Sequence, residues 1–153
     1  MTFEEILARD GKLVYRTKGV SMEPMLRQDR DLVTIGVPSA QLRRFDVALY
    51  HRGESNVLHR VIRVENGYYL IRGDNTFSME TVPFDQVYGV LTGFVRKGKA
   101  YSVDDKGYRR YVRFWNAIYT LRLGYIRLRR FAVRAARALG ILPLLKRILR
   151  RKG

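Results

Sequence analysis

The chain contains no cysteine, so neither a disulfide framework nor a thiolate zinc site is available to it. Histidine is scarce. His51 and His59 are the only two, and no ligand-like spacing of carboxylates accompanies them, so no metal or cofactor is expected. Long apolar runs are also missing. Beyond residue 103 the longest uncharged stretches, "FWNAIYTL" and "ALGILPLL", are eight residues each, against the roughly 20 that a bilayer-spanning helix needs. The opening "MTFEEILARDGK" has two acids in its first five residues and no apolar core. It reads as neither a secretory signal nor an anchor, which implies a cytoplasmic protein.

Acids are almost absent from the last third. Residues 1–95 hold 12 basic and 12 acidic residues, whereas residues 96–153 hold 18 basic ones against Asp104 and Asp105 alone. The whole net charge of +16 therefore belongs to the C-terminal part. A length of 153 residues suits one domain with a real core plus an appendage. The expected division is a β domain over 1–103 and a basic helical tail over 104–153.

Local patterns fill in that outline. Residues 3–9 read as a short helix ended by Asp10-Gly11. "KLVYRTKGV" alternates like a half-buried strand, "DLVTIGV" and "FDVALYHR" are two more, and "QVYGVLTGFVRKGKAYSV" adds further strand material. "NVLHRVIRVENGYYLIRGDN" is two β-rich runs around Asn66-Gly67, a strong hairpin cue. Short strands at this density predict a mainly β fold, a coiled antiparallel sheet or small barrel. After residue 107 the period becomes helical. Phe114, Ile118, Leu121, Tyr125, Leu128, Ala132, Ala135, Leu139 and Leu142 form one stripe, with Arg127, Arg130, Arg134 and Arg137 opposite. Gly140 and Pro143 break it, and "LLKRILRRKG" can form a final short basic helix.

Two stretches carry candidate chemistry. In "KGVSMEPML", Pro24 forces the chain away from strand geometry, so Ser21 lies at a corner where it either caps a helix or presents a nucleophilic hydroxyl. In the hairpin, counting outward from a facing Glu65–Tyr68 pair sets His59 opposite Asp74. Directly opposed side chains share a face of the sheet, so Asp74 is expected to hold one imidazole nitrogen and leave the other free as a base. Arg60 and Arg72 are expected on the other face. His51 reads as a loop residue, and Asp29 and Asp31 as turn residues.

"GVSMEPML", "DVALYHR…VLHRVIRV" and "RGDN", in that order, resemble the boxes of the type I signal peptidases and the related self-cleaving repressors. These form a superfamily of serine peptidases on a coiled β-sheet. The likeness spans roughly residues 12–95. It implies that Ser21 is the nucleophile and that His59 is the general base, where most members use lysine. Asp74, from the Gly-Asp-Asn box, would orient His59, as in the endoplasmic-reticulum-type enzymes. Gly19 stands where a hydroxyl residue often helps bind the oxyanion, so that task falls to backbone N–H groups around Ser21. Gly19, Met22 and Pro24 are the implied substrate and oxyanion residues, with Met25 beside Pro24 in the groove wall. Phe45-Asp46 stands in place of the usual Gly-Asp.

The resemblance thus implies an endopeptidase that removes a leader or signal-type segment from a peptide or protein, like small unanchored relatives in bacterial peptide-maturation clusters. The alternative is a non-catalytic binding protein using the tail on anionic membrane, acidic peptide or nucleic acid. The tail could equally pack on the β domain or lie peripherally on the inner face of a membrane. Nucleic acid has only the high pI of about 10.7 in its favour, with no recognition motif. A self-cleaving regulator ranks last, since the chain has no Ala-Gly dipeptide.

Overall fold

The structure is a computed structural model that describes residues 1–138. Leu139, Gly140, Leu142, Pro143 and the short helix expected over 144–153 lie outside the described residues. The element order is α1 (Phe3–Asp10), β1 (Lys12–Arg16), β2 (Leu32–Gly36), β3 (Val47–Arg52), β4 (Ser55–Val64), β5 (Tyr68–Arg72), β6 (Glu80–Pro83), β7 (Val87–Arg96), β8 (Lys99–Ser102), α2 (Lys106–Ala117) and α3 (Tyr119–Ala138). The protein is mainly antiparallel β with a helical C-terminal segment. Two compact units can be distinguished, Met1–Arg113 and a second beginning at Phe114.

α1 starts and stops on local chemistry. Thr2 and Glu5 form a reciprocal capping box, and Gly11 ends the helix in the left-handed region at φ 69°. The strands form one eight-stranded sheet in the order β1-β2-β7-β3-β4-β5-β6, with β8 also paired to β7. The sheet does not close, so the barrel alternative gives way to an open sheet with β1 and β6 as its outer strands.

Side chains alternate across the central strands into two cores. Val47, Leu49 and Leu58 join Leu13, Met22, Met25, Leu26, Val33, Ile35 and Phe94 on one face. Ala48, Tyr50, Val57 and Val61 join Tyr69, Ile71 and Val82 on the other. That double burial explains why "VALY" is continuously apolar instead of alternating. The first unit extends past the sequence boundary at residue 103 because the start of α2 packs onto it. Val112 is buried, and Tyr108 and Tyr111 lie against the first core.

Three local expectations differ from the structure. β1 ends at Arg16, so Ser21 stands within a run of turns and not directly at a strand end. β6 was not anticipated, being four residues with a terminal proline. The long stripe after residue 107 is carried by two helices, with the break at Ile118.

Candidate active site

The β4–β5 hairpin closes as its turn residues dictate. Glu65 N–H donates to Tyr68 O at 3.0 Å, and Val64 pairs with Tyr69 and Arg63 with Leu70. The register then slips. Val61 pairs with Ile71 and Arg60 with Arg72, so one extra residue, Ile62, is accommodated on β4 as a bulge. A one-residue slip moves a side chain to the other face. Asp74 consequently does not stand directly opposite His59; its carboxylate joins Arg60 on the opposite side of the sheet.

That carboxylate takes both nitrogens of a fork, Arg60 Nε to Oδ1 and Nη2 to Oδ2, each at 2.7 Å. Arg60 is fully buried and Asp74 is 2 % exposed. The guanidinium also donates to Phe45 O (2.9 Å), Tyr108 Oη (3.0 Å) and Met25 Sδ (3.1 Å). Burial opposes its charge, but Asp74 and Tyr108 more than offset that, so Arg60 is held protonated. The expectation that Asp74 orients His59 is therefore corrected. Asp74 anchors a buried cation beneath the Ser21 segment, although its charge still lies near enough to favour the imidazolium.

His59 has other partners. Its Nδ1 lies 3.2 Å from Tyr50 Oη and 3.3 Å from Glu80 Oε1. Tyr50 in turn donates to Glu80 Oε2 at 3.0 Å, and Arg52 Nη1 reaches Glu80 Oε1 at 3.2 Å. Tyr50 arrives because Ala48 pairs with His59, which sets Tyr50 on the diagonal. Glu80 arrives because β6 adds to β5 with Glu80 opposite Ile71. Assigned from this network, the Nδ1 position carries the proton and Nε2 keeps its lone pair. Burial, the largest effect, pushes His59 below its ordinary value; Glu80 pulls upward and Arg52 downward. Burial and then Glu80 raise the Tyr50 phenol, keeping it an O–H donor.

The free nitrogen faces the Ser21 turn across Gly73. A Cβ on Gly73 would lie 2.7 Å from Ser21 O and 3.1 Å from His59 Nε2. Only a residue without a side chain lets the two approach so closely. Asn75 ties the turn in place, its N–H donating to Ser21 O at 2.7 Å and its Nδ2 to Val20 O at 3.2 Å. Asp31, fully buried, secures the turn's far end. Burial works against its charge, but the Arg30 guanidinium and the Arg27 N–H hold its carboxyl below the usual range.

The remaining anticipated residues divide. Gly19 sits at φ 83° and its N–H is taken by Gln28 Oε1 at 3.1 Å, so it is not a free oxyanion donor. Among the described residues the N–H groups of Ser21 and Met22, and the Ser21 hydroxyl, make no hydrogen bond. Met22 and Met25 are buried at 4 % and 1 % in the first core and Pro24 is partly exposed, so the methionine side chains support the turn from beneath. Asp29 is a turn residue at φ 58°. His51 lies in β3, with Nε2 2.9 Å from Glu4 Oε1 and its ring stacked on Tyr88.

Sequence reasoning missed Tyr50, Asn75 and Glu80. The β3–β4 register could have found Tyr50, and Asn75 is the last letter of "RGDN". Glu80 carries no local signal, because its place depends on the β5–β6 pairing. A search found no family model and no curated protein that matches this chain.

Proposed function

We propose that this chain is a serine endopeptidase of the signal peptidase type that cuts a leader or signal-type segment from a peptide or protein. Ser21 Oγ attacks the scissile carbonyl while His59 Nε2 takes its proton. The oxyanion is received by the Ser21 and Met22 N–H groups. His59 then gives its proton to the leaving amine, and a water activated by the same nitrogen hydrolyses the acyl-Ser21 ester. Glu80 and Tyr50 are positioning residues that hold the imidazole tautomer. Asp74 and Arg60 stiffen the floor under the nucleophile turn.

The observation that supports this reading most is the convergence of Ser21 and His59 Nε2 on Gly73, with Nδ1 already engaged. Incubation of the full chain with a complex peptide library, read by mass spectrometry, tests it. Wild type should generate a defined set of new termini, and a folded Ser21→Ala protein should generate none. An identical set from Ser21→Ala would overturn it.

A second reading, a binding protein without catalysis, draws on the exposed apolar stripe of α3; it predicts no new termini from either protein. The localisation attached to the peptidase reading is cytoplasmic, on the inner face of a membrane. No described helix is long and apolar enough to cross one.

A further inference from the structure

α3 carries four large apolar side chains in the open. Leu121 is 74 % exposed, Tyr125 68 %, Leu128 67 % and Phe131 70 %, with Phe114 of α2 at 62 %. Leu121, Tyr125 and Leu128 recur at spacings of four and three, which puts them on one helix face; Phe131 adjoins that face. Isolated exposed apolar residues are ordinary, but a contiguous row of this size marks a contact surface.

The charges on the same segment specify what it contacts. Residues 106–138 contain Lys106 and nine arginines and not one Asp or Glu. Arg127 and Arg134 project from the side of α3 away from the leucines, and both are exposed. A protein partner's apolar groove would explain the stripe but gives no reason for ten cations without an acid. A nucleic acid would explain the cations but would leave Leu121 and Leu128 in water. An anionic bilayer accounts for both, since acyl chains receive the stripe and headgroup phosphates receive the guanidinium groups.

We infer that α3 is an interfacial helix that lies in the plane of an anionic bilayer with the Leu121–Tyr125–Leu128–Phe131 row in the acyl boundary. This rests on the localisation given above but not on catalysis, so the two fail separately. The test is co-sedimentation of the full chain with phosphatidylcholine vesicles with and without phosphatidylglycerol, with peptide cleavage assayed in parallel.

Binding should require the anionic lipid. It should weaken by roughly fivefold for each arginine neutralised in Arg127→Gln and Arg134→Gln, and weaken further in high salt. It should fall to background in Leu121→Gln/Leu128→Gln, with helix content by circular dichroism and peptide cleavage unchanged. Failure to sediment with anionic vesicles at low salt overturns the inference. So does binding that ignores the leucine substitutions, which would mean simple electrostatic adhesion, and so does equal binding to uncharged vesicles.

Discussion

At the scale of single residues, His59 is one group that links stability to pH. Its folded-state pKa lies below its ordinary value because burial penalises the imidazolium more than Glu80 and Asp74 favour it. The unfolded chain therefore binds more protons than the folded one, and stability rises with pH over that interval. His59's contribution is fully present above the unfolded value of about 6.5 and is eroded as pH falls below it. Denaturant unfolding should give a lower free energy at pH 5 than at pH 7.5, and His59→Gln should flatten that difference. A steeper decline in the variant would contradict the assignment. Glu80→Gln should lower kcat by about 10²–10⁴-fold with little change in melting temperature, as expected when an imidazole loses the group that fixes its tautomer. Tyr50→Phe removes one neutral hydrogen bond, worth about 1 kcal/mol, and should cost less than tenfold. Equal losses for the two would mean that Glu80 acts only through Tyr50.

At the scale of elements, the bulge in β4 governs which carboxylate goes where. With the hairpin in unbroken register, Asp74 would stand beside His59 and Arg60 would lack its counter-ion. With Ile62 bulged, Asp74 neutralises Arg60 and His59 turns to Glu80. Gly73, at the end of that ladder, is the contact point with the Ser21 turn. Gly73→Ala should push the turn away, because its new methyl meets a backbone oxygen that cannot rotate aside. Displacements of about 1 Å commonly cost on the order of 10²-fold in rate, so kcat/KM should fall far more than stability does. Unaltered kcat/KM in Gly73→Ala would show that the turn does not need this approach. The hairpin itself was legible in the sequence, because Asn66-Gly67 fixes its turn and alternation fixes its strands. The bulge was not. Ile62 is as apolar as its neighbours, and nothing in "HRVIRV" says which residue leaves the ladder. β6 was illegible for a related reason: four residues ending in proline form a strand only where a neighbouring edge is already in place.

At the scale of the whole molecule, two compact units can be told apart, and every acid of the chain lies in the first. The first holds 19 basic and 14 acidic residues, two cores and the Ser21 turn beside His59; the second holds 11 basic residues and no acid, with exposed apolar side chains. The buried Arg60–Asp74 pair joins the sheet, the Ser21 turn through Met25, and Tyr108 of α2 within the first unit. Removing one partner leaves an uncompensated buried charge, so Arg60→Leu should cost about 3–5 kcal/mol. Arg60→Leu/Asp74→Leu should recover much of that loss, which calorimetry can measure. No recovery would show that the hydrogen bonds to Phe45 and Tyr108, not the ion pair, carry the effect. The central claim is that Ser21 and His59 act as one catalytic unit. Comparison of kcat/KM for wild type, Ser21→Ala, His59→Gln and the double variant on one cleaved peptide tests it most directly. Residues that act as a unit are strongly non-additive, so each single substitution should reduce kcat/KM to the same residual level and the double should go no lower. Multiplying losses, or a His59→Gln enzyme at wild-type rate, would contradict the account.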